Sequence, residues 1–521
     1  MKEEMIMKLG KRSLAILLSL GMVFGLTACG GGGEKAKVGN SKTDIEIRLW
    51  SAGLGEDWIK NMIEGFEKEN PEYNVTYSAA ADGDSILASY GLEESDTIDL
   101  YMTVRSYDTR YAEPLNDVLE STAYGDSKTL KEKFNENYLE FEKSADGNYY
   151  ALTYGGGIMS LVYNEKIFKE AGVTTLPRTT DELTAVCDKI YRAGYAPLAH
   201  FTKGGYWDFI SEVWFAQASG MDYYLNNFYA CTDENGNSPS KDALLKKDGR
   251  YDVLKAYEQF ITPEYIMDGS NTTDHVVVQT KLLDGRAAMM VNGSWLANEM
   301  KTTGSTDGFA MMKLPVISSI RNRLETVKSD TVLRLLISAI DSVTDGEKQL
   351  SDYQSGEGYV VDGNQISAAD WDIVAEARNT VAANYSGESA FIPTYSNAKE
   401  GAKEFLKFMY SDKGYKIYTD TLHLTLPLTF ADSELDTASW NGYEQNLYDI
   451  SQTATGFASY YIAGKHRIFT DGGASSFVGS DYIAGLCSKN SGDRITADKA
   501  WGQITESIEN NYENNWLANI K

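Results

Sequence analysis

Residues 149–163 read YYALTYGGGIMSLVY, so two apolar, strand-like runs flank Gly155, Gly156 and Gly157. Three glycines permit sharp rotation of the backbone, which is compatible with a plain tight turn or with a crossing between two lobes. They do not form a phosphate loop, because neither a G-x-G-x-x-G before a helix nor a closing Gly-Lys-Ser/Thr is present. A chain of 521 residues is too long for one core and long enough for two lobes.

Strand and helix patterns alternate ahead of these glycines. Ile45–Trp50 alternates apolar and polar residues as a strand does, and the apolar residues of 58–66 follow at helical spacing. A strand at Val75–Tyr77, a helix at Ser85–Glu94 and a strand at Ile98–Val104 continue the series. This order predicts an α/β fold with a mainly parallel sheet and helices on its faces.

A second alternating segment begins after the glycines. Thr179 and Glu182 have the spacing of a capping box, which opens a helix. A strand at 196–201 and a strongly aromatic helix at 206–219 follow. We expect Phe309–Val316 to be the return crossing to the first lobe.

Trp295 lies at a predicted corner between a strand and a helix. The buried strand Ala287–Val291 turns through Asn292-Gly293-Ser294 into this corner. Such corners at strand ends are where open α/β sheets place ligand-binding groups, so Trp295 is predicted to contact a ligand. Trp58 and Trp214, at helical spacing among apolar neighbours, are predicted to pack in the core.

The first 28 residues are typical of a secretory signal peptide, because basic residues precede a mostly apolar run from Leu14 to Leu26. About thirteen apolar residues are too few to span roughly 30 Å of hydrocarbon as a helix. The pentad Leu26-Thr27-Ala28-Cys29-Gly30 resembles the lipobox of bacterial lipoproteins, which implies that Cys29 carries a lipid. The alternative is an ordinary signal peptide with a chance cysteine. On the lipobox interpretation, residues 29–44 form a flexible tether at the extracellular face of the membrane.

The charge of the chain restricts its partners. The formal net charge is -27, with 75 acidic residues against 48 basic ones. Such a surface repels nucleic acid and anionic lipid headgroups. We therefore expect a neutral ligand or a protein partner, and no nucleic acid.

The sequence lacks motifs for hydrolytic chemistry. It contains no G-x-S-x-G of a serine hydrolase and no H-E-x-x-H of a zinc protease. An extracellular glycoside hydrolase is the main enzymatic alternative, because many carboxylate pairs are available. Such an enzyme needs two carboxyls about 5 to 10 Å apart, and nothing in the sequence singles out a pair. A structural or adhesive surface protein usually contains repeats, and none is found. The prediction is that the chain is not an enzyme.

No metal or cofactor is predicted. The four histidines are scattered without ligand spacing. Residues 233–237 resemble part of a calcium loop, but the glycine and the closing glutamate are missing, which favours a solvated insertion loop. Cys187 lies on the apolar face of a helical pattern, which favours a buried structural role.

Several blocks, in this order, resemble the extracellular solute-binding proteins of ABC importers, specifically the large carbohydrate-binding family that includes the maltose-binding proteins. Besides the lipobox, the matching blocks are spread over most of the remaining chain: residues 149–172, 177–183, 285–289, 292–295 and 402–408, with Ser411 and Gly414.

The resemblance implies two α/β lobes that are joined by crossing hinge segments and close on a sugar in a central cleft. We predict that the first lobe comprises residues 45–154 and 317–408. The second lobe would comprise residues 155–316 and 409–521. The implied partners are a mono- or oligosaccharide, the permease subunits of an ABC importer and the membrane, through the lipid anchor. The protein is expected to be a monomer.

The resemblance also implies a set of binding residues. Trp295 would stack on a sugar ring, and Tyr206 and Trp207 would form an aromatic shelf on the second lobe. The segments Trp50–Gly53 and Tyr101–Arg105 would line the first lobe. The predicted ligand-binding residues are Trp295, Trp207, Tyr206, Ser51, Gly53, Arg105 and Tyr154. A pyranose needs flat aromatic rings for its C–H faces and polar side chains for its hydroxyl rim, and this set offers both.

Overall fold

The computed structural model describes residues 42–520 except 52, 104–106, 145, 156, 201–205, 248, 384–387, 431–434, 459–465, 471, 476–479, 487 and 489–491. The predicted signal peptide, Cys29, most of the predicted tether and Arg105 therefore lie outside the described residues.

Strands occur in both halves of the described chain. In chain order they are β1 (Thr43–Trp50), β2 (Tyr73–Ala80), β3 (Leu100–Thr103), β4 (Leu152–Thr153), β5 (Ile158–Asn164), β6 (Ala196–Ala199), β7 (Ala287–Gly293), β8 (Phe309–Met311), β9 (Gln354–Ser355), β10 (Gly358–Val361), β11 (Asn364–Ser367), β12 (Thr380–Ala383), β13 (Ser389–Phe391) and β14 (Gly456–Ala458).

The helices cover the sheets. The first group, in chain order, is α1 (Asp57–Glu69), α2 (Gly83–Ile86), α3 (Asn116–Leu119), α4 (Leu130–Lys133), α5 (Glu136–Glu142), α6 (Glu165–Glu170), α7 (Thr180–Arg192), α8 (Trp207–Ser219), α9 (Lys241–Leu245), α10 (Arg250–Phe260) and α11 (His275–Leu283). The second group is α12 (Leu296–Met300), α13 (Asp330–Thr344), α14 (Ala368–Arg378), α15 (Lys399–Met409), α16 (Asp412–Leu422), α17 (Gly442–Thr453), α18 (Arg467–Thr470), α19 (Ser480–Leu486), α20 (Ala497–Asn511) and α21 (Leu517–Asn519).

Two mixed sheets organise the structure. The first has the order β2-β1-β3-β13-β4, with β1 parallel to β2 and β3 and with β13 antiparallel to both of its neighbours. The second has the order β14-β12-β5-β7-β6, and β8 also pairs with β5. The predicted α/β fold is confirmed, although antiparallel pairs make both sheets mixed rather than mainly parallel.

Two large groups of buried side chains define two lobes. The first lobe is the group around the first sheet, to which β1, α1, α15 and α16 contribute. The second lobe is the group around the second sheet, to which β5, β7, α8, α10, α13 and α14 contribute. Helix α17 packs on the second sheet through a further group of apolar side chains.

The three glycines connect the two sheets. Strand β4 pairs within the first sheet and β5 within the second, so residues 154–157 pass from one lobe to the other. This confirms the crossing interpretation over the tight turn, although Gly156 is outside the described residues.

The chain returns to the first lobe later than predicted. Phe309–Met311 pairs antiparallel with β5 and stays in the second sheet, so it is not the return crossing. The return lies between Ala383 of β12 and Ser389 of β13. The strand β12 contains Thr-Val-Ala-Ala, whose small side chains give a weak strand pattern. The predicted helix Ser85–Glu94 is also wrong, because helix α2 ends at Ile86.

The structure also differs from the predicted lobe boundaries beyond residue 317. Helix α13, expected in the first lobe, buries Leu333, Leu336 and Ile337 in the second-lobe core. Helix α16, expected in the second lobe, buries Tyr415 and Tyr418 in the first-lobe core. In each case the helix lies where its apolar face is covered.

The tryptophans and cysteines that were predicted to be structural are buried. Trp58 and Trp214 are fully enclosed, as expected, and so is Cys187. Within the described ranges, no helix has the length and apolarity required to cross a membrane.

Candidate functional site

A cavity lies between the two lobes where the chain crosses from one to the other. Its empty volume is about 520 Å³, including space that is open to solvent. Residues of both lobes line it, together with residues of the glycine crossing and of the return crossing before β13. They are Leu54, Gly155, Gly157, Ile158, Ser294, Trp295, Glu388, Tyr418, His423, Leu424, Thr425, Trp440, Leu447, Tyr448 and Ser451.

Trp295 forms part of the cavity wall and lies directly before helix α12. Its indole folds back over Gly293, the last residue of β7, where any side chain would overlap the ring. Tyr206 and Phe209 meet the indole edge-on, with ring centroids 5.5 Å and 6.4 Å away. The ring is half-buried, so it has a fixed orientation and still reaches the cavity.

The first lobe approaches Trp295 through the turn after β1. A side-chain carbon on Gly53 would lie 3.5 Å from Cβ of Trp295. The backbone N–H of Ser51 donates to the carbonyl of Ala80 at 3.0 Å, and the carbonyl of Ser51 accepts from the N–H of Gly55 at 2.9 Å. The predicted residues Ser51 and Gly53 thus shape the part of the first lobe that faces Trp295.

Trp207 does not reach the cavity. It is the first residue of α8, and its side chain is fully enclosed between Tyr257 and Phe260, with ring centroids 5.6 Å and 6.1 Å away. The preceding residue, Tyr206, is half-buried and packs on Trp295. Tyr206 thus supports a residue of the cavity wall without being among the residues that line the cavity, whereas Trp207 belongs to the second-lobe core.

Tyr154 is also a core residue. Its ring is fully enclosed and stacks on Trp58, with centroids 5.6 Å apart and planes inclined by 22°. Its hydroxyl is buried without a hydrogen-bond partner among the described residues. The remaining predicted site residue, Arg105, lies outside the described residues.

Sequence reasoning missed a second aromatic group in the cavity lining. His423 of the first lobe stacks on Trp440, with centroids 5.2 Å apart and planes inclined by 18°. The ring Nδ1 lies 2.7 Å from a carboxylate oxygen of Glu444 on α17. Tyr448 meets Trp440 edge-on at 5.7 Å. Trp440, Glu444 and Tyr448 follow each other at helical spacing at the start of α17, whereas His423 ends α16, so no local pattern in the sequence indicates that His423 joins them.

Glu388 is the second residue that sequence reasoning missed. It precedes β13 in the return crossing, and its side chain lies against Gly155, where any side chain would overlap the carboxylate. The residue is only 5% exposed but lines the cavity. Burial raises the pKa of this carboxyl to about 7. A lone acidic residue in a polar stretch gives no sequence signal of this kind.

Hydrogen bonds and ion pairs join the lobes beside the cavity. The side-chain amide of Asn298 on α12 donates to the carbonyl of Leu422 at 3.1 Å. The ammonium of Lys301 lies 3.3 Å from a carboxylate oxygen of Asp57. The pair of His423 and Glu444 is a third link.

The cavity offers aromatic faces and polar groups together, which is the combination that a pyranose ring requires. Trp295 supplies a half-buried aromatic ring, Trp440 is buried with its ring stacked on His423, and Ser294, Thr425 and Glu388 supply polar groups. Within the described part of the chain, no group of three or more His, Cys, Asp or Glu side chains is placed to hold a metal ion.

Comparison with known proteins gives consistent matches. The sequence profile of the bacterial extracellular solute-binding protein family matches residues 52–319. The maltotriose-binding protein of Pyrococcus abyssi is 31% identical over 177 residues, which cover 33% of this chain and 32% of that protein. The multiple sugar-binding protein of Streptococcus mutans is 23% identical over 287 residues, 53% of this chain and 63% of that protein. The chain thus spans between a third and two thirds of the length of these relatives.

Solved structures share the fold. The solute-binding protein RafE in complex with raffinose superposes with a TM-score of 0.56 at 13% identity, over 90% of this chain and 99% of that chain. At this identity the likeness concerns the fold, and it agrees with the two-lobed fold predicted from the sequence.

Proposed function

The chain belongs to the bacterial extracellular solute-binding protein family, and we propose that it captures a mono- or oligosaccharide between its lobes and delivers it to the permease of an ABC importer. Lobe closure around the sugar is the step that would present the loaded protein to the permease. A ligand that contacts both lobes stabilises the closed arrangement by its additional affinity for that arrangement.

The half-buried indole of Trp295 on the cavity between the lobes carries this proposal. A flat aromatic side chain that is fixed on three sides and reaches a cavity fits the apolar face of a sugar. The relatives that are named for maltotriose and for multiple sugars, and the likeness to a raffinose complex, support a saccharide as ligand.

The family is one of solute-binding proteins, so the prediction that the chain is not an enzyme is confirmed. The cavity also gives no support to the glycoside hydrolase alternative. Among the described residues that line it, Glu388 is the one carboxyl, whereas glycoside hydrolysis needs two that flank the scissile bond.

Tethering through Cys29 is the second part of the proposal. The lipobox-like pentad and the extracellular family support it. In the native bacterium, Cys29→Ser should release the protein into the medium or leave its signal peptide uncleaved. Unchanged membrane association of this variant would contradict lipidation at Cys29.

Binding of a saccharide without turnover is the central test. A soluble form that begins after Cys29 is incubated with a panel of mono- and oligosaccharides, and thermal shift and product analysis are measured on the same samples. We expect a rise in melting temperature with at least one sugar and no product. Tight binding of a phosphorylated sugar or a metal ion with no sugar binding would refute the proposal, and product formation would restore the hydrolase alternative.

A further inference from the structure

The charged side chains that line the cavity are not balanced in sign. Glu388 is the one carboxyl among the described residues that line it, and no lysine or arginine of the described chain is among them. The other titratable lining groups are the hydroxyls of Tyr418 and Tyr448 and the ring of His423, which already faces Glu444. The carboxylate of Glu388 therefore has no cation beside it among these residues.

Aromatic residues share the cavity lining with this carboxylate. Trp295 and Trp440 line the same cavity, and the buried rings of Tyr154 and Tyr418 both lie close enough to Glu388 to interact with its charge. Aromatic faces attract cations, and a carboxylate among them is the arrangement with which proteins recognise organic ammonium groups. The acidic surface of the whole chain attracts cations as well.

On the basis of the function proposed above, we propose that the sugar carries a protonated amine, so that the ligand class is amino sugars. The ammonium group would lie beside Glu388, and an apolar face of the sugar ring would lie against Trp295. A neutral sugar can bond a carboxyl only through hydroxyl groups, whereas an ammonium group also supplies the missing charge.

The protonation of Glu388 gives this inference a direct readout. Because burial raises its pKa to about 7, part of the carboxyl population of the free protein is protonated near pH 7. Opposite an ammonium group it must be ionised, so binding of an amine that is already protonated in solution should release protons, and the release should grow as the pH is lowered below about 7. Calorimetric titration in two buffers of different ionisation enthalpy measures this release without any variant.

The test compares sugars that differ in one group. Glucosamine, N-acetylglucosamine and glucose, each as monomer and as β1,4-linked trimer, are titrated into the wild-type soluble form. We expect the amine to bind about tenfold to a hundredfold more tightly than its acetylated and hydroxyl counterparts. Glu388→Gln should remove both the preference and the proton release, because glutamine keeps the shape and loses the charge.

Glu142→Gln is the matched control. Glu142 is also a buried carboxyl, but it accepts hydrogen bonds from Thr153 and Ser389 and does not line the cavity. Its substitution should leave the preference for the amine unchanged.

Two outcomes separate this inference from the proposed function. If neutral sugars bind as tightly as amines, or if no proton is released, the amino-sugar inference is wrong and sugar capture stands. If no saccharide of any charge binds, the proposed function itself is wrong, and the inference with it.

Discussion

Trp295 and Trp207 both lie where a helix of the second lobe begins, but one lines the cavity and the other is enclosed in the core. Trp295 directly precedes α12, as Tyr206 directly precedes α8, and these two half-buried rings touch each other. Trp207, one position further on, is already inside its helix and points into the core. The position relative to the helix start, and not the residue type, decides which aromatic side chain can meet a ligand.

The largest expected effect is on Trp207. Trp207→Ala should lower the free energy of unfolding by about 3 to 5 kcal/mol, because it leaves a cavity among Tyr257 and Phe260. Chemical denaturation of the soluble form measures this loss. Sugar affinity of the fraction that remains folded should stay near the wild-type value, and a selective loss of affinity with normal stability would place Trp207 in the site after all.

Glu388, the carboxyl that lines the cavity, should make the free energy of unfolding depend on pH. The pKa of Glu388 is raised from 4.5 to about 7, so the folded protein binds the proton more tightly than the unfolded chain. The resulting contribution is fully present below about pH 4.5 and is lost as the pH rises through about 7, with a total of up to about 3 kcal/mol. The difference in unfolding free energy between wild type and Glu388→Gln, followed from acid to neutral pH, should show this decline. A constant difference would show that Glu388 is not buried as described.

Trp295→Ala should weaken sugar binding and leave stability nearly unchanged, whereas Trp207→Ala should lower stability and leave sugar affinity nearly unchanged. We expect sugar affinity to fall by about tenfold to a hundredfold, since stacking and burial of a ring face contribute roughly 1 to 3 kcal/mol. The melting temperature of the sugar-free protein should change little, because the ring is only half-buried. A large drop in that temperature with unchanged affinity would remove Trp295 from the site.

The smallest expected effect is on Tyr206, whose ring supports Trp295 edge-on at 5.5 Å. An aromatic pair of this kind contributes about 0.5 to 1.5 kcal/mol, so Tyr206→Ala should weaken binding about twofold to tenfold. If Tyr206 acts through Trp295, the substitution should have almost no further effect in a Trp295→Ala background. Additive losses in the double variant would show that Tyr206 contacts the sugar independently.

Elements with strong periodicity were predictable from the sequence. The alternation of Ile45, Ile47 and Leu49 identifies β1, and Trp58 to Phe66 identifies α1, because each pattern reflects one buried face. The short β12, Thr380–Ala383, carries no comparable signal, whereas the more apolar segment at 309–316 favours a crossing at the wrong place.

The sequence predicted only the part of the candidate site whose residues are close together along the chain. The corner at Trp295 is visible because Gly293 and the end of a strand precede it within two residues. Glu388, His423 and Trp440 meet only through tertiary folding, and each is unremarkable among its sequence neighbours. Burial of Trp207 depends on the rotation of α8, which the sequence does not reveal because buried residues lie on nearly every side of this helix.

The links between the lobes have a kinetic consequence. Asn298 and Lys301 join the two lobes, and so does the pair of His423 and Glu444. We expect a sugar to enter between the lobes only when these bonds part, because they hold the lobes together. In stopped-flow mixing, the observed association rate should therefore rise with sugar concentration at first and then level off at the rate at which the lobes separate. Substitutions that remove these links should raise that plateau.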